Sequence, residues 1–429
     1  MQHTSGLRDQ WDLLWLAGGR DDDATEDEDV LAMIYRQRNL NFRPGTAFLY
    51  SNSGYTLLAL VVQRVSGLPL WQFARDRIFV PLDMTHTFFL PDRFRILEGA
   101  ASGYRMARAG GWGRTAYLND TYGPGGLFTT PEDLVKWYES LGTTKFASGV
   151  LSKEAVRRGR LPTGDSIAYS AGLEIGMFRR RRYVGHGGND LGANGYGMRF
   201  PDHGLSLAVV CNAREIDAFT LARQSAAFLI ALPPAASPAK ATVPADTVIT
   251  VPLRELARFA GMYYNPSTLA TRKVEVRDRK LVWARGGPGT PLDAIGPNRF
   301  RFPPGQPAEL LFPPTVSGKP QTMLLISGAT ITQYQRAEPF VAPARGIGEY
   351  SGAFGSDELD VVWNVVARDS TLEFGTRGSW QQLAQPIFRD AFAIPDALVI
   401  RFTRDRSGRI DGFIADMPRT RGIRFAKRR

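Results

Sequence analysis

A chain of 429 residues, 43% hydrophobic and 22% charged, can bury a core large enough for two or three domains and is not a disordered polypeptide. Its net charge of +11 gathers partly at Arg179 to Arg182 and in the tail from Arg419 to Arg429. No nucleic-acid motif accompanies either cluster, so both read as solvated charge and no nucleic-acid partner is expected. The single cysteine, Cys211, excludes an internal disulfide and a Cys-based zinc site, and its place in the apolar run Leu207 to Cys211 predicts a core residue. No apolar run approaches the ~20 residues of a transmembrane segment, and Met1 to Arg20 lacks the basic start and apolar centre of a signal peptide.

In chain order, the acidic run Asp21 to Asp29 lacks the central glycine and spaced ligands of a calcium loop. Thr25 with Glu28 instead predicts a capping box, opening an amphipathic helix through Val30, Leu31 and Ile34 that ends before Asn41. The polar turn Tyr50-Ser51-Asn52-Ser53 then meets Tyr55, Leu58, Val62 and Val65 at helical spacing, with Gly67 as the stop. That pattern predicts a buried helix capped by Ser51, Asn52 or Ser53. A phenol and a carboxamide held side by side on such a turn can relay a proton and orient an acyl group, although an N-cap beside an aromatic accounts for the same residues.

Pro69 opens a further helix through Trp71, Phe73, Ala74 and Ile78, ended by Pro81, and Thr87 to Leu90 reads as a short strand. Thr130, Pro131 and Asp133 are N-cap, first helical residue and capping-box partner of a helix reaching about Leu141. Ala171 to Ile175, Tyr183 to Gly188, Gly195 to Phe200 and Leu205 to Cys211 predict an antiparallel meander, and Leu221 to Leu229 a helix packed across it. Leu232 to Pro252, rich in Pro and Ala, reads as a linker.

Beyond the linker the chain repeats at an offset of 91, which carries Gly261 to Gly352, Val274 to Val365, Arg277 to Arg368, Asp278 to Asp369, Leu281 to Leu372 and Leu292 to Leu383. An aromatic, Phe259 or Tyr350, stands two residues before each glycine. Short alternating runs such as Lys273 to Val276 and Leu398 to Phe402 predict two small antiparallel, β-barrel-like modules. The expected organisation is therefore a domain over 1–232, a linker over 233–252, one β module over 253–340 and a second over 345–429. Such modules can shape substrate access, form a homodimer or serve as rigid appendages.

Three stretches carry a resemblance. Arg43 to Gly67 with Tyr50-Ser51-Asn52, the loop His3-Thr4-Ser5-Gly6-Leu7, and Gly185-His186-Gly187-Gly188 resemble motifs of the serine β-lactamase and penicillin-binding-protein superfamily. The likeness is to its class C-like branch with esterases and D-aminopeptidases. It covers about the first half of the chain and implies an α+β fold, an antiparallel sheet flanked by helices. It also implies that Tyr50 moves a proton and that Asn52 binds the substrate amide or a lysine. His186, where many members carry lysine, would polarise Tyr50 or meet a substrate carboxylate. Gly187 and Gly188 would let the strand approach the acyl group, with the Asn189 N–H as an oxyanion donor.

The family's nucleophile motif, Ser-x-x-Lys, is expected some dozens of residues before His3. The only match in the chain, Ser237 to Lys240, lies in the linker, where no buried helix can stack Ser and Lys one turn apart. A missing front would account for the lack of both this motif and a signal, and the complete protein is expected to be periplasmic or secreted. His3, His86 and His203 make no metal-ligand cluster, and neither metal nor cofactor is expected. Two functions follow: a serine hydrolase acting on an ester, a D-amino-acid peptide or a β-lactam, inactive as the chain stands, or a binding or scaffold protein that holds a peptide or peptidoglycan fragment without turnover.

Overall fold

The structure, a computed structural model, describes residues 1–20, 23–107, 110–141, 143, 153–190, 192–230, 248–265, 270–284, 289–303, 308–314, 318–327, 330–337, 346–376, 381–394 and 397–428. Most of the expected linker, with Ser237 to Lys240, lies outside the described residues. The chain divides into two units, Met1–Trp15 with Gly19–Ser237, and Leu16–Gly18 with Pro238–Arg429. Among the described residues no single helix is long and apolar enough to cross a membrane.

The first unit has the expected α+β order. Helices α1 (Gln10–Leu16), α2 (Asp27–Tyr35), α3 (Asn52–Ser66), α4 (Leu70–Ala74) and α5 (Pro131–Ser140) precede strands β1 (Glu174–Phe178), β2 (Arg181–Asp190), β3 (Ala193–Phe200) and β4 (Leu205–Cys211), followed by α6 (Ala218–Leu229). The strands form an antiparallel meander in the order β4-β3-β2-β1. Alternation along the strands sends neighbours to opposite faces. Tyr183, Tyr196, Met198 and Phe200 pack with Ala218, Ala222 and Ala226 of α6, whereas Val184 and Ile175 pack with Tyr138 of α5. The sheet is thus covered by a helix on each face. Thr130 caps α5 as expected, accepting from the Asp133 N–H at 3.3 Å.

Several local expectations are corrected. The α2 cap is Glu26 rather than Thr25, with the Glu26 N–H donating to Asp29 at 3.1 Å, because Thr25 is drawn into a two-residue parallel pairing with Asn119. Helix α3 ends at Gly67 in the left-handed conformation as expected, but its apolar stripe is not its buried face: Val65 is 83% exposed, and the buried residues are Asn52, Ser53 and Thr56. The polar face turns inward because residues 8–10 offer it partners, Ser53 Oγ donating to the Arg8 carbonyl and Thr56 Oγ1 to Gln10 Oε1, each at 2.7 Å. Cys211 is only partly buried, at the margin of the α6 core. Arg179 is more than solvated charge: from the β1–β2 turn its Nη1 donates to the carbonyls of Ala227 and Ile230 at the end of α6.

The second unit holds two closed antiparallel barrels of eight strands each, running from Gly261–Tyr264 to Thr330–Arg336 and from Gly352–Ser356 to Ile423–Lys427. Gly261 pairs with Val274 in the first barrel and Gly352 with Val365 in the second. The hairpins turn at Asp278-Arg279 and at Asp369, where all three residues have positive φ. The repeat slips at one position. Leu281 pairs with Leu292, but Leu372 pairs with Ala384, so the equivalent of buried Leu292 is Ala384, and Leu383 is 57% exposed.

A latch that the sequence reading did not anticipate repeats at the same offset. Arg336, on the last strand of the first barrel, lies 4.7 Å over the Tyr263 ring, and Lys427 lies 5.5 Å over Phe354 in the second. Arg336 also donates to the carbonyls of Pro320, Ala260 and Arg258 at 2.7 Å. A Cβ at Gly261 would stand 2.2 Å from Arg336 Nη1, and one at Gly352 2.9 Å from Lys427 Cε. The paired glycines therefore make room for the cation carried on the strand that closes each barrel.

Gly261→Ala should cost about 1–3 kcal/mol by displacing a guanidinium fixed by three carbonyls. Adding Arg336→Ala should give less than the sum of the two single losses, read by denaturant unfolding in a double-mutant cycle. Strict additivity would mean that the glycine serves the backbone alone.

Candidate active site

The loop before α3 is held by its pairing with the first residues of the chain. The N–H groups of Asn41, Gly45 and Leu49 donate to the carbonyls of Gly6, Thr4 and His3 at 2.7, 2.7 and 3.0 Å. The Ser51 N–H donates to His3 Nδ1 at 3.1 Å, which puts the proton of a neutral His3 ring on Nε2. None of the three expected capping side chains caps α3. Ser51 is the N-cap residue, yet its hydroxyl makes no cap bond; Asp9, 1% exposed, does that work from another loop. Its Oδ2 accepts from both the N–H and the Nδ2 of Asn52 at 2.7 Å, and its Oδ1 from the Trp11 N–H at 3.0 Å. A carboxylate at a helix N-terminus meets unpaired N–H groups and the positive end of the helix dipole together.

Asn52 is therefore oriented. With Nδ2 turned to Asp9, the carbonyl Oδ1 is the end of the amide that points the other way. Tyr50, one residue before the N-cap, packs against His3 with ring centroids 4.1 Å apart. His3 also meets Tyr55 at 5.2 Å and Tyr169 at 4.7 Å. The His186 ring comes within 6.1 Å of Tyr50 and 5.9 Å of Tyr169. Two side chains 136 positions apart in sequence, on a helix-entry turn and on β2, thus share one aromatic cluster.

β2 is arranged for close approach. Its ladder with β1 ends at the Glu174–Gly185 pair, so among the described residues the stretch His186 to Asp190 pairs with β3 alone and leaves its other edge open to a ligand. The His186 N–H is taken by the Tyr138 hydroxyl at 3.0 Å, which anchors the strand where that ladder stops. A Cβ at Gly187 would stand 2.8 Å from the Tyr196 ring, so this glycine serves packing beneath the strand. Gly188 faces open space, and it and Asn189 are exposed towards the hairpin end. The structure thus brings Tyr50 and His186 together, orients Asn52 through Asp9, and leaves Gly188 and Asn189 at the rim.

Sequence reasoning missed Asp9, Tyr169 and the packing role of His3. His3 lay in a stretch already singled out, but Asp9 and Tyr169 sit in no motif. Burial pushes the Tyr55 phenol up to about 12, against a smaller downward pull from the Tyr169 hydroxyl; the neighbouring Tyr50 adds to the rise. Burial also raises Tyr169, with further contributions from Tyr55 and Tyr50. The cluster holds these two phenols neutral.

A family model described as Beta-lactamase matches residues 1–232. The chain is 25% identical over 186 residues to a D-aminopeptidase of Brucella anthropi, covering 43% of this chain and 35% of that protein. It is 24% identical over 210 residues to a D-aminopeptidase of Brucella ovis, covering 49% and 40%. The chain therefore spans well under half the length of these curated relatives. Among solved structures, the octameric penicillin-binding protein homologue from Pyrococcus abyssi superposes with a TM-score of 0.50 at 20% identity over 78% of this chain and 76% of that chain, a likeness of fold.

The raised phenols make stability fall in alkali. A folded-state value above the unfolded ~10 contributes stability that is complete below that pH and is lost as pH rises through the folded value, about 12 for Tyr55. Ultraviolet phenolate absorbance and circular dichroism followed together should show Tyr55 ionising only as the first unit unfolds, with a shallower alkaline loss in Tyr55→Phe. Ionisation near pH ~10 without unfolding would contradict the burial argument.

Proposed function

We propose a function from the premise that this chain belongs to the beta-lactamase family, whose model its residues 1–232 match. Its first unit forms the proton-transfer wall of a serine-hydrolase pocket that takes the acyl group of an ester or a D-amino-acid peptide. The observation that carries this reading is the meeting of Tyr50 and His186, ring centroids 6.1 Å apart, brought from two separate motifs. In an acyl transfer the serine hydroxyl gives up its proton as it attacks the carbonyl, and the leaving group must gain one. Tyr50 carries that proton, with His186 polarising its hydroxyl or meeting a substrate carboxylate. Asn52 Oδ1, turned away from Asp9, accepts from the substrate amide N–H, and the open edge of β2 receives the acyl group, with the Asn189 N–H as oxyanion donor.

In a form of the protein that turns over a chromogenic ester or a D-amino-acid anilide, Tyr50→Phe and His186→Ala should each lower that turnover by ~10²-fold or more, with little change in melting temperature. Unchanged turnover in both variants would remove the assignment. Tight retention of a D-peptide with no turnover would favour the binding protein instead.

Residues 1–429, whose one Ser-x-x-Lys is Ser237 to Lys240, should not be labelled by a fluorescent penicillin or a fluorophosphonate. In acyl transfer the serine, its lysine and the serine's own oxyanion N–H act as a unit, and without all of them only binding and residual electrostatics remain. Stoichiometric labelling mapped to any serine of the chain would show a nucleophile elsewhere.

A further inference from the structure

Helix α6 is apolar on both sides. Ala218, Ala222 and Ala226 are fully buried against the sheet, where they meet Tyr183, Tyr196 and Phe200. The larger apolar residues turn the other way. Leu221 and Phe228, seven positions and so about two turns apart, share the outer face and are 38% and 91% exposed, and Leu229 beside them is 61% exposed. A helix that is apolar all round is ordinarily covered all round, yet among the described residues this outer face is open.

The open face ends in a cluster of cations. Arg179, in the β1–β2 turn, donates from Nη1 to the carbonyls of Ala227 and Ile230 at 2.7 and 3.0 Å. Those carbonyls bracket Phe228 and Leu229 in the chain, so the guanidinium stands at the root of the two exposed side chains. Arg180 and Arg182 are exposed and Arg181 is partly buried. Arg182 Nη2 donates to the Val156 carbonyl at 2.7 Å, which brings the exposed Arg157 and Arg158 to the same end of the sheet. Among the described residues none of Arg179 to Arg182 has a carboxylate partner. Glu154 is tied to Arg157 at 2.7 Å, and Asp202 stands in the β3–β4 turn, which leaves this end strongly positive.

The charge selects the occupant. A second copy of this chain would bring the same arginines against these, and like charges facing across a two-fold interface repel. A duplex nucleic acid would take the arginines but offers Leu221 and Leu229 only phosphate. An anionic bilayer takes both, the cations at the level of the headgroups and the apolar side chains past them at the acyl boundary.

We propose that this end of the first unit is a membrane-surface site, at which Arg179 to Arg182 meet anionic headgroups and Phe228 and Leu229 enter the acyl boundary, so that the protein lies on a bilayer without spanning it there. The site does not rest on the reading of Tyr50 and His186.

The test is flotation of the full chain with vesicles of phosphatidylglycerol and phosphatidylcholine in equal parts, and with vesicles of phosphatidylcholine alone. The protein should float with the anionic vesicles and not with the neutral ones, and binding should weaken as salt is added. Arg180→Gln should weaken it about fivefold, the contribution of one cation at an anionic surface. Phe228→Ser should weaken it about tenfold and leave the melting temperature unchanged or higher, because the ring it removes is exposed. Equal flotation with both lipids, flotation with neither, or wild-type binding in both variants would overturn the proposal, and the last result would assign vesicle capture to the basic tail. So would a lipid-free dimer that Phe228→Ser dissolves, which would mark a second copy, or tighter binding to a DNA duplex than to the anionic vesicles, which would mark a nucleic acid.

Discussion

The first unit hangs on one buried carboxylate. Asp9 is almost out of contact with solvent, and burying an ionised group is tolerable only where hydrogen bonds replace its water. Here two groups of Asn52 and the Trp11 N–H supply them. The same contact closes the N-terminus of α3, so one interaction offsets two costs that would stand separately. Around it Ser53 and Thr56 tie the next turn of α3 to Arg8 and Gln10. Tyr50 enters this helix one residue before its cap, and its place against His3 follows from that seam.

Much of the fold was legible where local chemistry decides structure. The Thr130-Pro131-Asp133 cap of α5, the Gly67 stop and the strand at Leu205 to Cys211 all follow from residues within a few positions of one another. The offset of 91 exposed both barrels because each strand pairs with its sequence neighbours. Two motifs were enough to name Tyr50 and His186. What escaped was settled by distant partners. The apolar spacing of α3 suggested a buried stripe, but residues 8–10 reward the polar face, and no periodicity within the helix records that. Asp9 reads as an ordinary surface carboxylate until the loop that presents it is placed.

The barrels show the same limit from the other side. Leu292 and Leu383 match in the sequence, yet the pairing of Leu372 with Ala384 sends Leu383 outward. A slip of one residue reverses the face of every side chain in a strand. Gly261 and Gly352 were conspicuous as a repeated pair, but their reason lies in Arg336 and Lys427, the same offset apart at the far end of each barrel.

That latch orders events during synthesis. A chain leaving the ribosome from its N-terminus presents Arg336 well before Lys427, so the first barrel has its closing strand while the second is still being made. Each barrel remains an open sheet with two unpaired edges until its last strand, which carries that cation, pairs with its first, and open edges are where strands from other chains pair. By closing in turn rather than together, the two near-copies are kept from exchanging strands, because the first has no free edge left when the second becomes complete.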